Sequence, residues 1–317
     1  MEPILVQANR LAKFFDTSKG LLHAVDGVDL SIPKGSTLGV VGESGCGKST
    51  LGRVILRLLE PTAGTVLFEG NDVSRFSKAE MAQFRRDTSI IFQDPYASLN
   101  PRMTTSELIE DPLIVNNSYA SAGERRAAVE QMMDTVGLAQ RLVNTFPHEL
   151  DGGRRQRIGI ARSLILHPKF IVCDEPVSAL DVSIQAQVLN LLMDLQDSMG
   201  LTYMFITHDL SVVKHISDEI MVMYMGACVE KAPSAELFRH PMHPYTRALL
   251  AAVPIPKLAS RSKKREILKG EVSSPINLAP GCRFAARCPY ACEKCGQEEN
   301  IVLKDYGGGH SVACAVL

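Results

Sequence analysis

GESGCGKST, residues 42–50, decides the fold. It fits Gly-x4-Gly-Lys-Ser/Thr, the spacing of a loop that wraps phosphates. Glycines let successive backbone N–H groups turn toward a polyanion, and a helix opening at the loop's end adds the positive end of its dipole. The flanks supply that context. Apolar Thr37–Val41 reads as a strand leading into the loop. Beyond it, Leu51, Val54, Ile55, Leu58 and Leu59 fall at i, i+3, i+4, i+7 and i+8, which predicts an amphipathic helix from Ser49 that Pro61 closes. Gly42, Glu43, Ser44, Gly45, Cys46, Gly47, Lys48, Ser49 and Thr50 are therefore the candidate phosphate-binding residues. Lys48 can reach the outer phosphates and the Ser49 hydroxyl can ligate Mg²⁺.

Such a loop needs a further acid for its metal. FIVCDEP, residues 170–176, ends an apolar strand on Asp174, and ligands of open parallel sheets collect at that strand end. Asp174 is the candidate carboxylate for the Mg²⁺ site. Glu175 follows as the candidate to orient or deprotonate an attacking water, since phosphoryl transfer rests on positioning and charge neutralisation. Gln93 follows a second strand, Ser89–Phe92, and its amide oxygen can serve the metal or the water. His208 ends a third, Thr202–Ile206, where an imidazole can donate to a phosphate or hold Glu175. Phe170–Cys173, helix-patterned Ile184–Met199 and Thr202–Ile206 form a strand-helix-strand unit of parallel type.

The rest of the chain surrounds that core. Ile4–Gln7, Val25–Ile32 and Thr65–Phe68 read as strands, and residues 100–166 as mainly helical, including Ala120–Val136. Past Leu250, Pro254, Pro256 and the basic run RSKKRE at 261–266 read as a linker before a small cysteine-rich module. Five of the eight cysteines fall there, Cys282, Cys288, Cys292, Cys295 and Cys314, a crowding that in a reducing compartment speaks for metal rather than disulfides. Hydrophobic content of 45% and charged content of 22% are those of an ordinary globular protein. The net charge of −1 gives no support to nucleic-acid binding. No apolar run nears the roughly 18–20 residues that span a bilayer, and the first thirty residues lack a signal-peptide layout, so the expected compartment is the cytosol.

Together these motifs resemble the ATP-binding subunit of an ABC transporter. GESGCGKST matches its Walker A loop, Gln93 its Q-loop, LDGGRRQR its signature loop, FIVCDEP its Walker B strand, SALD at 178–181 its D-loop and His208 its switch histidine. The resemblance implies an α/β P-loop NTPase with a RecA-like core, an antiparallel β-subdomain and a helical subdomain at about 95–166. It places the nucleotide-binding domain at residues 1–250 and a C-terminal extension at 251–317. It also implies an aromatic that stacks on adenine, for which Phe15 is the choice and Phe14 the neighbour. FQDPYASLNPR, CDEPVSALDVSIQAQ, HPMHPYTRALLAAVP and GCRFAARCPYAC look like the oligopeptide, dipeptide and nickel importer group, and the N-terminal phrasing like its F-type ATPase.

That group implies MgATP as substrate, a second and different ATPase as partner, two permeases and a substrate-binding protein, at the cytoplasmic face of the membrane. The cargo stays open among peptides, nickel, metallophores and haem-like solutes. A non-transport or purely regulatory ABC ATPase is the alternative. Cys282-x5-Cys288-x6-Cys295-x18-Cys314 is similar to the group's C-terminal pattern, where some members carry a [4Fe–4S] cluster. Thiolates also suit Zn²⁺, and Cys292 is an extra candidate.

The signature loop departs from the family. Where the family has Leu-Ser-Gly-Gly-Gln, this chain keeps Leu150, Gly152 and Gly153 but has Asp151 for the serine and Arg154 for the glutamine. In such head-to-tail pairs the loop meets the γ-phosphate held by the partner. Asp151 then either caps the helix that follows and pairs with Arg154, or sets a carboxylate against a phosphate, costing on the order of 4 kcal/mol per charge pair at an effective dielectric of 20. The expectation is one competent site, on this chain's own loop, and one impaired site that borrows Asp151, Gly152, Gly153 and Arg154.

Overall fold

The computed structural model of the chain describes residues 3–119, 121–252, 275–297 and 301–317. The run RSKKRE and Pro254 and Pro256 lie outside the described residues. The chain divides into two units. One comprises Val6–Ile32, Thr37–Asp72 and Phe205–Leu317; the other comprises Met1–Leu5, Pro33–Ser36 and Val73–Met204.

The first of these holds the phosphate loop. β1 (Ile4–Thr17) and β2 (Gly20–Pro33) run longer than their apolar segments predict. A bulge in β1 between Asn9 and Ala12, with Arg10 at φ +46°, hides the alternation a strand normally shows. β3 (Thr37–Val41) is buried throughout and leads to α1 (Lys48–Ile55). β4 (Ala63–Phe68) and β5 (Asn71–Asp72) complete an antiparallel subdomain in the order β2-β1-β4-β5.

α1 stops well short of Pro61. Arg57 takes φ +52°, its N–H donates to the Val54 carbonyl, and the Leu58 N–H reaches back to the Arg53 carbonyl. That pair of bonds is a Schellman close, normally built on glycine. With arginine there the sequence carried no stop signal, and Leu58 ends up 54% exposed instead of on the buried face.

The other unit is largely helical. α2 (Lys78–Asp87) precedes β6 (Thr88–Ile91), and α3 (Pro95–Ser98), α4 (Thr105–Val115), α5 (Ala122–Thr135) and α6 (Gly152–Leu164) follow. Ser77 with Glu80, Thr104 with Glu107 and Ser121 with Glu124 form capping boxes that start α2, α4 and α5. β7 (Phe170–Asp174) pairs parallel with β6, α7 (Val182–Met199) follows, and β8 (Thr202–Thr207) neighbours β7. The division between units falls inside β8, after Met204.

Past β8 the chain returns to the nucleotide-loop unit with α8 (Leu210–Ile216), β9 (Glu219–Tyr224), β10 (Ala227–Pro233), α9 (Ser234–Arg239) and α10 (Pro244–Ala252). β9 lies parallel to β3 and antiparallel to β10. The C-terminal tail does not stand apart. Its short strands β11 (Lys304–Asp305) and β12 (Ser311–Val312) extend the sheet beyond β10, where Glu230 pairs with Val312. Phe284 of the tail joins the apolar cluster of Tyr224, Val222, Leu237 and Tyr245, and its ring meets Tyr224 edge-on at 5.3 Å. Buried Glu230 accepts from the Met242 and His243 N–H groups and pairs with His310 at 2.8 Å.

Candidate functional site

The phosphate loop needs its glycines. Gly47 sits at φ +103°, and a Cβ there would collide with the Ala24 carbonyl oxygen; at Gly42 it would strike the Met223 carbonyl. The Lys48 amine, 5% exposed, donates to the Gly42 and Glu43 carbonyls at 2.8 and 3.0 Å. Cys46 is buried beside it, and burial pushes its thiol pKa up against the opposing pull of Lys48, so it packs as a neutral group. Phe14 and Phe15 point to opposite faces of β1. The Phe14 ring lies 4.4 Å from that of His23, while the Lys13 amine sits over Phe15 at 5.0 Å. His208 follows β8 in this same unit and is exposed.

The acidic pair belongs to the other unit. Asp174 closes β7 and is 3% exposed. Glu175 comes next with φ +49°, an uncommon conformation for a side chain of its size and one that concentrates at functional sites. The Gln93 amide donates to its carboxylate at 2.9 Å. Two residues 82 positions apart are thus joined at adjacent strand ends, as β6 and β7 require.

The signature loop opens α6. Asp151 is the N-cap, its carboxylate accepting the Arg154 N–H at 2.8 Å. The Arg154 side chain returns to the same carboxylate at 3.4 Å, and both side chains stay about half exposed, at 47% and 58%. The capping geometry and the compensating pair are therefore both present. Gly152 and Gly153 lie against Leu180 and Ile184, where a Cβ would be crowded.

The tail supplies contacts that sequence reading passed over. Arg287, 9% exposed, places its two terminal nitrogens on the Glu43 carboxylate at 2.7 and 3.0 Å and lies 3.4 Å from the Tyr224 hydroxyl. The Tyr245 hydroxyl accepts the Glu43 N–H at 2.9 Å. Arg283 bonds Asp26 and the Met225 carbonyl. Both arginines lie within GCRFAARCPYAC, where nothing in the spacing marks them apart from the cysteines.

Those cysteines lie close enough to act on one another. Burial first, then Cys295, Cys314 and Cys288, push Cys282 up to about 11. Burial and neighbouring thiols likewise raise Cys288 and Cys295. Cys292 and Cys295 sulfurs are 3.8 Å apart. Among the described residues, no trio of His, Cys, Asp or Glu is set to hold a single metal ion.

A phosphate loop ahead of a helix, a buried aspartate at a strand end with glutamate behind it, and a capped glycine pair opening α6 define an ATP-hydrolysing cassette. A family model for ABC transporters matches residues 25–178, and one for the oligopeptide/dipeptide transporter C-terminal region matches residues 229–295. The chain is 51% identical to the putative oligopeptide transport ATP-binding protein YkfD of Bacillus subtilis, over 98% of this chain and 94% of that one. It is 50% identical to the oligopeptide transport ATP-binding protein OppF of Salmonella typhimurium, over 98% and 96%. A dimeric ATP-binding cassette solved in a post-hydrolysis state with ADP and Pi shares 30% identity at a TM-score of 0.66, covering 73% of this chain and 99% of that chain. The chain belongs to the ABC transporter ATP-binding subunits, in the oligopeptide/dipeptide importer family, and is an ATPase.

Proposed function

We propose that this chain drives peptide import by hydrolysing ATP on its own Gly42–Thr50 loop. It does so as one of two different cassettes that serve a pair of permeases and a substrate-binding protein at the cytoplasmic membrane face. Identity of 50% with the oligopeptide transport ATP-binding protein OppF of Salmonella typhimurium, over 98% of this chain, is the observation that carries this reading. Among the described residues no helix is long and apolar enough to cross a membrane.

MgATP is the substrate, and its metal neutralises charge on the outer phosphates as the terminal bond breaks. In this reading Lys48 and the loop N–H groups bind the phosphates, the Ser49 hydroxyl ligates the metal and Asp174 holds it through water. Glu175, steadied by Gln93, orients or deprotonates the attacking water. His208 donates to the γ-phosphate and Phe15 stacks on adenine. Leu150, Asp151, Gly152, Gly153 and Arg154 serve the partner's nucleotide. There the Asp151 carboxylate weakens the site, and its pairing with Arg154 limits the loss.

Cys282, Cys288, Cys295 and Cys314 would be the thiolates that hold a [4Fe–4S] cluster, whose irons take soft sulfur donors. Thiolates suit Zn²⁺ as well, and it stays the alternative. Such a cluster would supply a cross-link tying the tail together.

Peptide uptake by vesicles holding the whole complex tests the transport reading. Glu175→Gln is expected to cut peptide-stimulated ATP hydrolysis by about 10²–10⁴-fold and to stop uptake while ATP still binds. Undiminished uptake would refute it.

A further inference from the structure

We propose that Arg287 is a positioning residue of the ATP site, holding the phosphate loop through Glu43 and so making the C-terminal tail part of the nucleotide cradle. This rests on the reading that Gly42–Thr50 binds ATP.

Glu43 is the second residue of the loop and is fastened at three points. Its N–H donates to the Tyr245 hydroxyl, its carbonyl accepts from Lys48, and its carboxylate takes both terminal nitrogens of Arg287. A two-pronged guanidinium–carboxylate bond fixes direction as well as distance. The pair is not an exposed ion pair of little consequence: the side chains are 7% and 23% exposed. Its charge has a purpose too. A loop that receives a polyphosphate works against a bare carboxylate on one of its own side chains, and the guanidinium cancels that carboxylate.

Arg287 can act as an anchor because it is itself held. Its N–H donates to the Phe284 carbonyl at 3.0 Å, and Phe284 is 1% exposed within the apolar cluster of this unit. Its guanidinium also lies 5.9 Å from the Tyr224 ring centroid. A second link between tail and loop is indirect. Arg283 bonds the Met225 carbonyl, and the next N–H, of Gly226, donates to the Cys46 carbonyl at 2.9 Å. A third contact lies further back, where Asn277 and Pro275 bond the backbone of Leu21 and His23 on β2. The tail therefore touches the loop directly at Glu43 and reaches Cys46 through the Met225–Gly226 turn.

The experiment titrates a fluorescent ATP analogue into the full-length chain and measures hydrolysis by the assembled complex. Arg287→Met is expected to weaken MgATP binding about tenfold, because the carboxylate is left unpaired. Glu43→Gln keeps a hydrogen-bonding partner for Arg287 and is expected to weaken it about threefold. The double variant has no stranded carboxylate and should lose less than the product of the two single losses, and Arg287→Lys should recover part of the loss. KM for ATP rises while kcat stays within about twofold, a split that general damage to the fold does not produce. Wild-type affinity in Arg287→Met, or a double variant whose loss is the product of the two single losses, overturns the proposal. If Arg287→Met does not fold, Glu43→Gln decides alone: wild-type affinity overturns the proposal and a threefold loss supports it. Lys48→Ala separates the two readings. If it binds ATP normally, the loop is not the ATP site; if it loses ATP while Arg287→Met does not, only the role of Arg287 fails.

Discussion

Asp151 caps α6 and carries a charge, and Asp151→Ser separates the two. As N-cap of α6 it takes the Arg154 N–H, and Asp151→Ala should cost about 1 kcal/mol of stability through the lost cap. Serine caps as well as aspartate, so Asp151→Ser should leave the chain's thermal unfolding nearly unchanged while removing the charge. If the charge impairs the partner's site, turnover of the assembled complex rises in Asp151→Ser; if the loop is only a helix start, turnover stays level. In the sequence, single residues stand out more than their pairings do. Lys48, Asp174, Glu175, Gln93 and His208 stand out because phosphate chemistry demands those groups at loop and strand ends. The Gln93–Glu175 bond was not legible, because nothing in a sequence pairs residues 82 apart. Nor was the Arg287–Glu43 pair, which spans 244 positions.

Elements were legible where periodicity was clean and obscure where geometry is set by an unusual backbone. β3, β7, β8 and α7 follow from apolar runs and helical spacing. The end of α1 does not, because an arginine occupies the left-handed position that glycine usually marks. The buried connection from β10 to α10 supplies a pH dependence. His243 is 1% exposed, and its Nδ1 accepts the Tyr245 N–H, which requires a neutral ring. Burial, then Arg247, lowers its pKa to about 4 from the usual 6.5. Below pH 6.5 the unfolded chain gains a proton that the folded chain refuses. Stability should therefore fall as pH drops from about 6.5 to about 4, by up to about 3 kcal/mol, and this contribution should level off below. His243→Gln, measured by denaturant unfolding across that range, should flatten the slope. An unchanged slope would assign it to other groups.

At the scale of the whole molecule, the α/β architecture with its antiparallel strands and helical insertion was readable from the order of six motifs. The seating of the tail was not, because β12 and the two arginines make contacts with residues far back in the chain. Proline and basic residues suggested a separate module, yet Phe284 and Val312 are buried with the rest of the unit. Protein prepared without oxygen should contain iron and acid-labile sulfide in equal amounts, about four of each per chain if the tail's cysteine set holds a cubic cluster, and Cys288→Ala should lose both. Zinc without sulfide would assign the set to a single ion instead. The central claim is that ATP is hydrolysed on this chain's own loop, with the signature change felt only by the partner. Its most direct measurement is steady-state ATP hydrolysis by the complete complex with Glu175→Gln in this chain, beside the complex carrying the equivalent change in the partner. Near-complete loss from the first and a much smaller loss from the second is the expected result; equal losses from both would contradict it.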